Sequence, residues 1–347
     1  MKREKRLMIM ADRSASAVML GFNFEINAAI VLMLENIVDL QSVRAEGEFE
    51  DIDIRLNDGS WIFAQAKAVV NAESDFSHVH ENLRKALVSL SEAERKAADP
   101  VNRLVMVTNS INPLNDTATM SCFYGHAHKD YRDLPDRAKN IIDKIVAKAG
   151  IQIDLSRFRI QVIPFVGDDE NERYKVVREV VKAFLGRVGV FNANTEYLTE
   201  QLLEVWQTQV LHNGSTKAKS VTITKAGIVW PLLALLTDVR NSNSIRDNYD
   251  PAEYEEIIRA YGQIISHKQE RFEFYSRVLY DYRDYAFEGN GREKTKSFVA
   301  TEWKRYLEDF QNLSIGESVL EIVIKITIES IVNQRIEISR IKERVRL

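Results

Sequence analysis

Residues 50 to 67, EDIDIRLNDGSWIFAQAK, place two aspartates, a glutamine and a lysine where they can act together. Asp51 and Asp53 alternate with Ile52 and Ile54, and in an extended strand that alternation sends both carboxylates out of one face. Asp58-Gly59 predicts a tight reversal, because such turns favour residues that tolerate positive φ. On the return strand Gln65 and Lys67 share one face. Ala64, Ala66 and Ala68 share the other, small enough for another element to pack closely. Two acids, an amide and an ammonium on one sheet face can hold a divalent metal beside a phosphate. Period alone does not separate Asp51 from Asp53 as the principal ligand.

The surrounding pattern predicts the elements that carry these groups. Residues 14–38 read as a helix, with Phe24, Ala28, Val31 and Leu32 at helical spacing. A second helix runs from Phe76 to about Lys96, its stripe being Leu83, Ala86, Leu87 and Leu90. Leu104 to Val107 is a short apolar strand, ended by Thr108-Asn109 and the Asn112-Pro113 turn. Strand, long helix, strand predicts a βαβ unit and a parallel pair. A helix at Arg137 to Ala149, a strand at Phe158 to Phe165 and a helix at Glu172 to Val188 follow. The expected fold class is α/β, a mixed sheet flanked by helices.

Gly186, Gly189 and Asn192 to Asn194 mark a shift in composition, so the reading divides the chain into 1–190 and a mainly helical 191–347. In the second part Thr195 to His212 reads as a helix with Leu198, Leu202 and Val205 inward. Thr222-Ile223-Thr224 reads as the cap of a helix, Lys225 to Leu236, kinked at Pro231. Asn241 to Tyr249 is a polar loop, and Ser318 to Leu347 favours helix. The aromatic stretch from Tyr254 to Tyr285 is expected to be core or a partner interface.

The composition suits a folded protein: 347 residues, 45% hydrophobic and 28% charged. The single cysteine, Cys122, excludes an intramolecular disulfide and fits a reducing compartment. A net charge of −4 argues against a constitutive nucleic-acid coat; any DNA contact would rely on a local groove or an assembly. The basic residues at the two ends, Lys2 to Arg6 and Arg335 to Arg346, read as solvated charge. No apolar run approaches the roughly 18 residues that span a bilayer, and Asp12 and Arg13 interrupt the basic start. A cytoplasmic protein without membrane attachment is expected.

The acid, hairpin and Gln-x-Lys resemble the core of the PD-(D/E)XK nuclease superfamily. Gly21-Phe22-Asn23-Phe24-Glu25, Glu50-Asp51-Ile52-Asp53-Ile54, Gln65-Ala66-Lys67 and the strand Leu104 to Asn109 look more narrowly like one group. This is the double-stranded DNA endonuclease domain of CD-NTase-associated effectors and of Lamassu-type anti-phage systems. The likeness covers roughly residues 15–115 by motif and extends to 190 by architecture. It implies a restriction-endonuclease-like αβββαβ core with one strand unidentified in the sequence, and a Mg2+- or Mn2+-dependent endonuclease cutting double-stranded DNA. Asp53, Asp51, Gln65 and Glu25 would be the metal-side residues, and Lys67 would orient or deprotonate the attacking water. Gln65 stands where many relatives have Glu, and Glu25 where the group often has Gln. The absence of a recognisable cyclic-nucleotide sensor favours a Lamassu-like subunit, with an SMC-like ATPase and a further defence-system subunit as partners and homo-oligomerisation on activation. The alternative is a catalytically inactive adaptor that keeps the nuclease fold to bind the ATPase.

Other candidate chemistry is weaker. His78 and His80, two apart on a predicted helix, point in different directions. His126-Ala127-His128 can chelate if extended, but without nearby cysteines or spaced acids it reads as a surface loop. Glu288 to Arg292 lacks the third glycine of a dinucleotide loop and reads as an exposed turn, and no Walker-type loop occurs.

Overall fold

The computed structural model describes residues 2–190, 195–237, 245, 248–311, 313 and 315–347. The chain divides into two compact units, one running to Ile228 and one beginning at Val229.

The first unit opens with α1 (Lys2–Glu35) and continues through β1 (Leu40–Ala45), β2 (Ile52–Leu56), β3 (Trp61–Lys67), α2 (Val79–Lys96) and β4 (Val101–Thr108). Then come β5 (Ala127–Asp130), α3 (Asp136–Ala149), β6 (Phe158–Val162), α4 (Glu170–Arg173), α5 (Lys175–Arg187), α6 (Thr195–Ser215) and β7 (Ile223–Thr224). All seven strands form one mixed sheet in the order β5-β6-β4-β3-β2-β1-β7. β1, β2 and β3 are an antiparallel meander, and β3, β4 and β6 are parallel.

Parallel strands are stable when both faces are covered, and here they are. Phe63, Leu104 and Met106 face the stripe of α2 formed by Leu83, Ala86, Leu87 and Leu90. Ile62 and Val105, on the opposite face, lie beside Leu32 of α1. The small Ala64, on that second face, is fully buried. A stretch of α1, Ser16–Glu35, is 20 residues long and apolar enough by composition to cross a bilayer, contrary to the sequence expectation. Half of it is buried within the protein, as in a core helix, and Glu25 lies at its middle.

Of the expected αβββαβ succession, the strand missing from the sequence reading is β1; β5, read as a surface loop, and β7, read as a helix cap, are strands as well. Gln41, Ser42 and Arg44 disguise β1, and a bulge breaks its pairing with β2 between Leu40 and Ser42. Arg44 is buried because two carbonyls from far along the chain receive its guanidinium, Thr216 at 2.6 Å and Val221 at 2.7 Å. The Ala45 N–H donates to Asn213 at 3.0 Å, and Ile223 and Thr224 pair with Val43 and Ser42. These bonds correct the division expected near 190: α6 and β7 belong to the first unit. Residues 191–194, where the shift in composition was read, lie outside the described residues. Val205, expected inward on α6, is exposed.

The second unit is helical. α7 (Lys225–Thr237), which carries Pro231, leads into it, followed by α8 (Pro251–Glu270), α9 (Phe272–Asp284), α10 (Gly291–Glu302) and α11 (Glu317–Val345). Most of the polar loop expected at Asn241 to Tyr249 lies outside the described residues. Asp250 caps α8 by accepting the Ala252 and Glu253 N–H groups, with Pro251 in the first turn. Tyr254, Phe274, Phe298, Tyr306 and Phe310 are buried with the isoleucines of α11, so part of the aromatic stretch is core. Phe274 meets Tyr306 and Phe310 edge to face.

Candidate active site

The site lies at the carboxyl ends of the parallel strands β3 and β4, where ligands of open α/β sheets commonly bind. Two residues of β4 and its exit fix this end. The Thr108 hydroxyl donates to the Lys67 carbonyl at 2.8 Å. Asn109, fully buried, accepts the Val69 N–H at 2.8 Å and donates to the carbonyls of Val69 and Phe165 at 2.9 and 3.1 Å. The chain leaving β3 is thereby tied to the chain leaving β6, and the backbone that presents Lys67 has little freedom.

Asp51 and Asp53 take different roles despite their spacing. Asp51 sits in the bend just before β2, so the strand alternation does not govern it. Its Oδ2 accepts the Ala66 N–H at 2.9 Å and the side-chain amide of Gln65, and the Lys67 ammonium lies 3.8 Å away. Asp51, Gln65 and Lys67 therefore do meet. Gln65 faces Asp51 with its nitrogen, so offering an oxygen to a cation requires a half-turn of the amide.

Asp53 is buried and both of its oxygens are engaged: one accepts the Phe49 N–H and the other the Glu50 N–H, each at 3.0 Å. It clamps the turn between β1 and β2. Gly47 in that turn has no room for a side chain, since a Cβ there would lie 2.2 Å from Asp53 Oδ2. Burial pushes the Asp53 carboxyl up to about 6 against the pull of those N–H groups.

Two further acids complete the cluster. Burial, with the charges of Asp51 and Glu46 behind it, pushes Glu25 of α1 up to about 8, while Lys67 pulls the other way. Burial likewise pushes Glu50 up to about 7, helped by Asp51 and Asp53 and opposed by a hydrogen bond with Ser89 of α2 and by Lys67. Glu50 is 6% exposed, and its Oε1 has no hydrogen-bond partner. Glu46, which the sequence reading missed, adds negative charge from the turn it shares with Gly47. Its signal was the Gly-containing turn ahead of the acids.

The cluster is thus rich in acids around one lysine, with a buried carboxylate oxygen left unpaired. That pattern fits a cation. A hard divalent ion such as Mg2+ suits it, because carboxylate oxygens are its ligands and it retains several waters. The carboxylates do not form a closed shell: no three of them bring ligand atoms within 4.8 Å of one another. Comparison of the chain with protein-family models, with curated proteins and with solved structures finds no match.

Proposed function

We propose that the first unit is a divalent-metal-dependent DNA endonuclease of the PD-(D/E)XK type, acting as the effector of a bacterial anti-phage or anti-plasmid system. The observation that carries the reading is the meeting of Asp51, Gln65 and Lys67 at the end of β3, with buried Glu50, one of whose oxygens has no partner, within electrostatic reach of Asp51 and Lys67. The order α1-β1-β2-β3-α2-β4 supports it, because it is the αβββαβ succession that the resemblance implies.

Asp51 and Glu50 are the residues best disposed to hold Mg2+ or Mn2+, with Glu25 and a rotated Gln65 adding to them. Asp53 serves as the clamp of the turn that presents Glu50 and Asp51. When bound, the metal neutralises charge on the phosphate and lowers the pKa of the attacking water. Lys67 is placed to orient that water and to stabilise negative charge developing on the phosphate. Glu50 and Glu25, whose carboxyls burial pushes up to about 7 and 8, would give up protons on holding the cation.

The biological setting rests on the resemblance: a cytoplasmic protein, with double-stranded DNA as substrate and an SMC-like ATPase and a further defence-system subunit as partners. The second unit would dock them or drive oligomerisation on activation. The test is expression with the neighbouring genes under phage or plasmid challenge. Loss of intracellular DNA with the wild type, and its preservation with Lys67→Ala, is expected. Full protection by Lys67→Ala would instead favour the inactive adaptor.

A further inference from the structure

Away from the acidic centre, α1 ends in Glu35, and the segment that the sequence reading took for a surface loop is a bend at His126 followed by β5. His126, in the bend just ahead of β5, and His128, on the strand, bring their ring centroids to 4.5 Å from each other. His128 is the cross-strand partner of Gln161 on β6. Glu35 Oε1 lies 3.3 Å from His126 Nε2 and 2.9 Å from His128 Nε2. Among the described residues this is the one group of three potential ligand side chains whose ligand atoms all lie within 4.8 Å of one another.

We propose that Glu35, His126 and His128 form a binding site for a divalent transition-metal ion of the Zn2+ class. Atoms bound at about 2.0–2.1 Å in tetrahedral geometry sit roughly 3.3 Å apart, close to both Glu35–imidazole separations, and the ligand atoms of the two histidines lie within 4.8 Å of each other. Two imidazoles and one carboxylate select a borderline ion over Mg2+ or Ca2+, which prefer oxygen shells. Gln161 supplies the supporting layer that such sites need. It is fully buried, donates to the second oxygen of Glu35 at 3.0 Å, and keeps an Oε1 without a partner.

Three protein ligands leave a fourth position for water or a small anion. A cavity of about 380 Å³ adjoins the group and is lined by Glu35, His128 and Gln161 together with Arg103, Arg159 and Arg187. The site also has a structural consequence. β5 is the edge strand of the sheet, and the metal would fasten it to the end of α1.

The experiment uses the full chain, stripped with chelator and titrated with Zn2+ against a chromophoric competitor, with Co2+ as a spectroscopic substitute. One ion per chain is expected to bind with unchanged affinity in Asp51→Asn, which separates this site from the acidic centre. Affinity should fall at least tenfold in His126→Ala and His128→Ala. Co2+ should give visible bands of four-coordinate intensity without thiolate charge transfer, which separates the site from Cys122. His128→Asn, at a half-exposed position, provides a variant that keeps a polar side chain. Wild-type protein lacking the Co2+ bands, or equal Zn2+ affinity in the histidine variants, would overturn the proposal.

Discussion

Lys67 Nζ stands 3.8 Å from Asp51 Oδ2, an ion pair between the last residue of β3 and the residue just ahead of β2. It joins two chain segments that also share the Ala66 N–H bond to Asp51, so both partners are held by backbone as well as by charge. The neighbouring acids Glu25 and Glu50 lie within its electrostatic reach.

The two aspartates of the hairpin should separate cleanly on mutation. Asp51→Asn removes a charge from the site but keeps an acceptor for Ala66. It should lower Mg2+-dependent cleavage by roughly 10²-fold or more, with a melting temperature near that of the wild type. Asp53→Ala leaves the Phe49 and Glu50 N–H groups without their acceptor. It should cost about 1–3 kcal/mol in denaturant unfolding. Gly47→Ala should destabilise the same turn, because its Cβ collides with Asp53. Equal stability losses for Asp51→Asn and Asp53→Ala would contradict this division of roles.

Stability should depend on pH in the direction opposite to that of a protein rich in paired carboxylates. Glu25, Glu50 and Asp53 are raised from 4.5, 4.5 and 3.8 to about 8, 7 and 6. In that window the folded chain binds more protons than the unfolded chain, so unfolding free energy falls as pH rises. Metal-free protein is expected to lose a few degrees of melting temperature between about pH 5 and 8, and Mg2+ should restore part of it at the upper end. Calorimetry across that range checks the sign, and a melting temperature rising with pH and indifferent to Mg2+ would speak against the cluster.

Asn109→Ala should act at a distance from the chemistry. It removes three hydrogen bonds that hold the exits of β3 and β6 together. A loss of about 2–4 kcal/mol is expected. Cleavage should fall with little change in the metal concentration that gives half-maximal rate, since Asn109 positions Lys67 through the backbone. A large shift in metal dependence would assign it a more direct role.

Much of the first unit was legible because its signals are local. The stripe of α2, the Asp58-Gly59 reversal, with Gly59 at a φ of 82°, and the apolar run of β4 each need only their own residues. What failed depended on distant partners. β1 is recognisable as a strand only once Thr216, Val221 and Asn213 are known to receive its polar groups. His126 and His128 gained meaning from Glu35, which no spacing rule connects to them. Asp51 and Asp53 were inseparable by period, and the bend over residues 48–51, which ends at Asp51 just before β2, sets them apart.

The most direct measurement is cleavage of covalently closed plasmid DNA by the purified chain in Mg2+ or Mn2+, with wild type and Lys67→Ala side by side. The account predicts nicked and linear products that require the metal and fall by roughly 10²–10⁴-fold in Lys67→Ala, while circular dichroism and melting temperature are preserved. Intact plasmid with the wild type, or equal cutting by Lys67→Ala, would contradict it.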